Sequence, residues 1–196
     1  QIDKDKKLTP VFFLVNYYCG LKQIVTVHGI GSNLSAVGVK IMEEIREAKQ
    51  ELRANVEKAI DGLEAQEREQ KVEMIYERLF DFANFLEARI VLLYVNAPNE
   101  VPSMPIIQKT VEIGKIVVLP AFDVQKKRIK LMKIDSPGRD LIMGPRQRLE
   151  PNPQSCRKVP LECIDIAIIP GVALDEKGGR LGAGDGYYDR LIPKLP

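Results

Sequence analysis

The sequence predicts an α/β sandwich built around a mostly parallel sheet. Apolar runs of strand length recur at residues 88–95, 115–122 and 163–174, with little polar alternation inside them. Strands of that kind are buried on both faces, as in a sheet covered by helices on each side. Segments of helical periodicity precede and separate these runs, the alternation expected of an α/β fold. The 196 residues suit one ordinary domain with a substantial core.

The first forty residues carry two short apolar patches, "PVFFLV" (10–15) and "QIVTV" (23–27), which read as strands. From Met42 the pattern becomes helical. Ile45, Ala48, Leu52, Val56 and Ile60 stripe one face, and Gly62 is the stop signal. A second helix is expected through 68–87, with Val72, Ile75, Leu79, Phe82 and Leu86 inward and charges outward. "ARIVLLYV" (88–95) is the first core strand. "PIIQKTVEIG" (105–114) reads as a short helix, with proline near its start and glycine at its end. "KIVVLPAF" (115–122), "RIKLMKI" (128–134) and "CIDIAIIPGVAL" (163–174) are further strands, and "YYDRLI" (187–192) opens a helix.

Composition narrows the function classes. A formal charge of +2 without a basic tract argues against nucleic acid, and a lone histidine, His28, excludes multi-histidine metal sites. Cys19, Cys156 and Cys163 have no metal-ligand spacing, and their odd number argues against a disulfide framework. A reducing, cytoplasmic setting follows. The apolar runs are shorter than a membrane span. The stretch 10–20 lacks a clear small-residue cleavage pattern and is interrupted by Asn16, so it reads as a strand or buried segment rather than a secretory leader.

The most informative stretch is "GGRLGAGDGYYDR" (178–190), placed after the last buried strand. Ligands in such sheets bind beyond the carboxyl ends of strands. Glycines there let phosphate approach the main-chain N–H groups. Arg180 offers a fixed cationic fork, Asp189 a hard oxygen ligand for magnesium, and Tyr187 and Tyr188 flat faces for a heterocycle. The spacing is neither that of a Walker loop nor that of a dinucleotide fingerprint. Glycine spacing alone leaves a phosphate cradle and a structural turn both open.

The longer string "PGVALDEKGGRLGAGDGYYDR" (170–190) resembles the signature of the 5-formyltetrahydrofolate cyclo-ligase family, also called 5,10-methenyltetrahydrofolate synthetases, with Leu174 where phenylalanine is usual. "KQELR" supplies a K-x-x-x-R pair, Lys49 and Arg53, one helical turn apart. Without the resemblance this pair would read as a solvated helix face. "YVNAPNEVPS" places Glu100 where the family has a glutamate after its first core strand, and "GKIVVLP" (114–120) matches the strand that follows. The resemblance covers about residues 42–196.

The resemblance implies a three-layer sandwich of the NagB/RpiA/CoA-transferase-like kind. It also implies a ligase forming C–N bonds, which closes 5-formyltetrahydrofolate to 5,10-methenyltetrahydrofolate with ATP and releases ADP and phosphate. Lys49 and Arg53 would bind ATP phosphates. Arg180, Leu181, Gly182, Ala183, Gly184, Asp185, Gly186, Tyr187 and Tyr188 would line the nucleotide, with Ala183–Tyr187 also facing the folate. Glu100 would bind the folate, Val95 would wall its pocket, and Asp189 would hold Mg2+. No residue need be a covalent nucleophile. Partners would be these small molecules alone, with no nucleic acid, no membrane and a monomeric chain.

Two local departures stand out. Asp185 replaces the lysine or glycine common between the last two glycines, and Pro102 and Ser103 replace the usual acid and threonine after the glutamate. At the ends, residues 1–41 are expected to be an extension upstream of a family domain at 42–196, and the family's usual C-terminal tail is expected to be missing. The departures motivate an alternative, a member that binds nucleotide or folate without turnover. A third reading, an unrelated nucleotide-binding interaction domain, requires all three matches to be accidents.

Overall fold

The computed structural model describes residues 11–15, 36–175 and 177–195, the side chains from residue 41 onward. The expected strand at 23–27, Cys19 and His28 lie outside the described residues. A six-stranded sheet runs in the order β1 (Val11–Val15), β8 (Ile166–Gly171), β2 (Ile90–Leu92), β3 (Ile116–Asp123), β4 (Arg128–Ile134) and β7 (Arg157–Lys158). The first four are parallel neighbours, and β3–β4–β7 continue antiparallel. The sheet is thus mostly parallel, as expected, with an antiparallel edge.

β8 is an interior strand, flanked by β1 and β2. Every residue of Ile166–Gly171 is buried, and each fully buried Ile contributes about 1.5–3 kcal/mol. The Asp165 carboxylate fixes the register at its start, accepting from the Arg89 and Ile90 N–H groups at 3.0 and 2.8 Å. β2 is shorter than the expected 88–95 run, although Leu93 N–H still bonds the Val118 carbonyl at 2.9 Å.

Helices α2 (Ala65–Phe80), α3 (Ala83–Glu87) and α4 (Met104–Glu112) cover one face, burying Leu79, Phe85, Ile106 and Ile107 against Val91, Val117 and Ile168. The other face buries Leu92, Val118, Ala167 and Ile169 under Leu191 of α6 (Tyr187–Leu191) and the 3-10 turn that follows it. The result is three layers. Two short ribbons, β5 (Leu141–Met143) with β6 (Leu149–Pro151) and β9 (Ala173–Leu174) with β10 (Arg180–Leu181), stand outside the main sheet, β5 following the helical turn α5 (Pro137–Asp140).

Helix α1 spans Ala36–Asp61, so it begins six residues before the expected Met42. Its far half packs on α2 through Leu52, Val56 and Ile60, whereas Ala48 on the expected stripe is exposed. The expected second helix is two. α2 stops at Asp81, Phe82 turns extended (φ −73°, ψ 122°), and α3 restarts in a new phase. Phe85 is therefore fully buried and the predicted Leu86 lies 56% exposed.

Candidate functional site

The carboxyl ends of the three adjacent parallel strands β8, β2 and β3 open into one cleft. Pro170, Gly171 and Val172 line it from β8, Val95 and Glu100 from the loop after β2, and Phe122 from the end of β3. Arg180, Ala183, Asp185 and Tyr188 of the glycine loop close one side, and Arg146 and Arg148 of the β5–β6 turn close the other. Counted with its solvent-open mouth, the cleft takes in about 410 Å³.

Backbone geometry explains the glycines. Residue 184 adopts φ 108°, which side chains rarely tolerate, and the Arg53 guanidinium carbon would lie 3.5 Å from a Cβ there. At Gly182 a Cβ would sit 2.7 Å from Arg180 Nη2. Only glycine leaves room for Arg180 to fold back along its own loop. The loop begins in an Asp175 turn, whose Oδ1 accepts from the Lys177 and Gly179 N–H groups at 2.9 and 2.6 Å.

Arg180 is a braced cation with 8% side-chain exposure. Its Nε donates to the Pro170 carbonyl at 2.7 Å and its Nη1 to Asp189 Oδ1 at 2.8 Å, while the guanidinium lies 5.6 Å from the Tyr188 ring. Asp189 itself is 60% exposed. Arg53 of α1 donates from Nε to the Gly182 carbonyl at 2.8 Å, which pins that helix to the loop. Lys49, one turn earlier, is exposed and does not line the cleft.

The loop carrying Glu100 is tied to itself. Ser103 N–H donates to Asn96 Oδ1 at 2.9 Å and Asn96 N–H to Ser103 Oγ at 3.0 Å, so the serine hydroxyl braces the loop instead of capping α4. Glu100 Oε2 accepts from the Ala97 N–H at 2.7 Å. Burial, then the nearby Glu100 charge, pushes the Tyr188 phenol far above its ordinary range, against the opposing pull of Arg180 and Arg146. That phenol stays protonated and available as a donor.

Asp185 does not point bare charge at the cleft. It pairs with Arg146, and its Oδ1 receives the Tyr187 N–H at 3.5 Å. Arg146 in turn lies 4.3 Å from the Phe122 ring centre and 5.0 Å from that of Tyr187. Tyr187 is buried edge-on to Phe122, 5.0 Å between centroids. It is thus a packing wall rather than an open stacking face.

Phe122 is anchored by its own N–H, which donates to Glu150 Oε2 at 2.9 Å. Glu150 Oε1 is buried without a partner among the described residues. Burial pushes this carboxyl up, while the Phe122 N–H and then the Arg146 and Arg148 charges draw it down.

The structure therefore gathers Arg53, Val95, Glu100, Arg180, Ala183, Asp185 and Tyr188 around one cleft, with Leu181, Gly182, Gly184 and Gly186 as its backbone and Asp189 at the rim. Sequence reasoning missed Phe122, Arg146 and Arg148. The available signal was "PRQR" (145–148), two alternating arginines at a turn whose Gln147 takes a left-handed φ of 55°. As sequence it is indistinguishable from an ordinary solvated turn.

Residues 45–195 match the model of the 5-formyltetrahydrofolate cyclo-ligase family. A Caenorhabditis elegans protein named "Probable 5-formyltetrahydrofolate cyclo-ligase" is 31% identical over 158 residues, covering 77% of this chain and 75% of that one. The Escherichia coli K12 5-formyltetrahydrofolate cyclo-ligase is 30% identical over 115 residues, 59% of this chain and 63% of that one. Among solved structures, that of Aquifex aeolicus 5,10-methenyltetrahydrofolate synthetase superposes with a TM-score of 0.65 at 33% identity, covering 75% of this chain and 73% of that one. The chain belongs to the 5-formyltetrahydrofolate cyclo-ligase family.

Proposed function

We propose that this family member closes 5-formyltetrahydrofolate to 5,10-methenyltetrahydrofolate with ATP, releasing ADP and phosphate. The observation that carries the reading is the Arg53–Gly182 hydrogen bond of 2.8 Å. It joins the K-x-x-x-R helix to the glycine loop, at the same cleft that Glu100 lines. Three sequence segments that match the family separately thus meet at one place.

The chemistry needs little from the protein beyond alignment and charge neutralisation. A formamide oxygen is a poor leaving group until it takes the terminal phosphoryl group of ATP. The folate N10 then attacks the activated carbon, and phosphate departs with that oxygen. Arg180, locked by the Pro170 carbonyl, presents its charge without reorganising. Arg53 and Lys49 add positive charge along the phosphate chain. Glu100 accepts hydrogen bonds from pterin N–H groups, with Val95 as the apolar wall beside it. Tyr188, held protonated, donates toward a developing oxyanion.

Mg2+ would sit on Asp189. One exposed carboxylate suits a magnesium ion whose other ligands are phosphate oxygens and water, and among the described residues no cluster of three acidic, histidine or cysteine side chains offers a fuller cage. Bound there, the ion would neutralise phosphate charge, and Arg180 would release Asp189 to it. The enzyme would work as a monomer in a reducing cytoplasm, in keeping with its free Cys156 and Cys163 thiols. Among the described residues no helix is long and apolar enough to cross a membrane.

A second reading, a member that binds without turnover, is favoured by one observation. Both acids of the loop are already ion-paired, Asp185 to Arg146 and Asp189 to Arg180. Incubation with 5-formyltetrahydrofolate and MgATP, followed by the absorbance of the methenyl product, separates the two. ATP-dependent product that is lost in Lys49→Ala supports the ligase. Folate binding without product supports the second reading.

A further inference from the structure

The loop from Leu181 to Gly186 reads Leu-Gly-Ala-Gly-Asp-Gly and contains no cation, so any charge that meets phosphate beside it comes from elsewhere. The neighbouring arginines hold backbone carbonyls. Arg180 holds Pro170 as well as Asp189, Arg53 holds Gly182, and Arg190 holds Lys127 and Asp185 at 2.9 and 3.3 Å. Arg146 differs. Among the described residues it holds no backbone carbonyl; it pairs with the Asp185 carboxylate, and its guanidinium carbon lies near the Phe122 and Tyr187 rings. A carboxylate and a phosphate oxyanion are interchangeable acceptors for a guanidinium fork.

We infer that Arg146 is the principal phosphate-gripping cation of this cleft, and that Asp185 is a resident competitor for it. The inference rests on the reading of the cleft as an ATP site. Nucleotide phosphate displaces Asp185 from Arg146, and the two aromatic rings keep the guanidinium in place while its partner changes. Asp185 is 36% exposed at the side chain and Arg146 19%, so the acid has a route to solvent and the base stays put. The loop thus carries an acid where it needs a cation, and the opposite turn supplies the charge. The cost is an affinity for ATP set by competition.

The test is ATP and, separately, 5-formyltetrahydrofolate titrated into the wild-type chain, R146Q, R146K, D185N and the R146Q/D185N double variant, with melting curves for each. R146Q is expected to weaken ATP by about 10- to 100-fold, the scale of a lost charge-assisted bond, while folate affinity moves less than about 3-fold. R146K, which keeps the charge without fork or stacking, falls between. D185N tightens ATP by about 3- to 10-fold, and that gain shrinks below about 2-fold in the R146Q background. In turnover the loss in R146Q appears in KM for ATP and not in kcat.

A folded R146Q that binds ATP as the wild type does overturns the inference, as does an equal D185N gain in both backgrounds. A loss confined to folate overturns it too. If R146Q does not fold, the R146K and D185N arms decide it, an unchanged ATP affinity in both counting against it. A wild-type chain that binds neither ligand overturns the ATP-site reading itself. Wild-type binding that R146Q leaves intact removes this inference alone.

Discussion

On the glycine-loop side of the cleft, Arg180 is braced by a backbone carbonyl 2.7 Å away and by Asp189 at 2.8 Å. On the β5–β6 side, Arg146 is held by another side chain and two ring faces. The first arrangement keeps an anchor in the main chain of β8, the Pro170 carbonyl, even when Asp189 is released. The second has no main-chain anchor among the described residues, and its one charged partner is a side chain with a route to solvent. A cleft with one rigid and one exchangeable cation can orient a transferring group on one side and admit or release phosphate on the other.

That contrast ranks the expected effects of substitution. Arg180→Ala removes the rigid cation, and methenyl-product formation should fall by about 10²–10³-fold, with Arg180→Lys recovering little because lysine lacks the fork. Gly182→Ala tests whether the position of Arg180 matters beyond its presence. The new Cβ would lie 2.7 Å from its Nη2, and displacement of that scale should cost about 10- to 100-fold in kcat/KM. Its melting temperature should fall only a few degrees, since the clash is with the far end of a side chain.

On the exchangeable side, Phe122→Leu withdraws the ring that faces Arg146 and should raise KM for ATP by about 3- to 10-fold, a cation–π contribution. A kcat loss as large as that of Arg180→Ala would erase the distinction between the two sides. The smallest effect belongs to Glu150, which accepts the Phe122 N–H. Its carboxyl is raised in the folded state. The folded protein therefore binds the proton more tightly than the unfolded chain, and stability falls as pH rises from the unfolded toward the folded pKa. Glu150→Gln lacks this titration. Its stability relative to wild type should grow through and just above the ordinary carboxylate range and level off beyond it, as measured by denaturant midpoints across pH.

The same division decides what could be read from sequence. Apolar runs buried on both faces announce β3 and β8 and the layered architecture, because burial on two sides leaves no polar alternation. The glycine loop was legible because the backbone at 184 favours glycine and a side chain at 182 would crowd Arg180, so geometry is written into residue type. The end of α2 was not legible. Phe82 and Leu86 continue a helical stripe perfectly well as letters, and only the packing of Phe85 shows that the chain has turned. Arg146 was illegible for a related reason. Its role comes from Phe122, Tyr187 and Asp185, which are 24 to 41 positions away and carry no local mark.

β8 lies inside the sheet, between β1 and β2, yet it is among the last strands to be made. Its opening contact with β2 joins residues 75 positions apart, and β2 joins β3 on its other edge. During synthesis β2, β3 and β4 leave the ribosome with the slot for β8 unfilled, so the edge of β2 stays open through the translation of all the intervening chain. Only when residues 166–171 enter that slot do the strand ends that form the cleft come together. Pairing across such distances is slow, so the interval before that insertion is when the nascent chain most needs protection from misassociation.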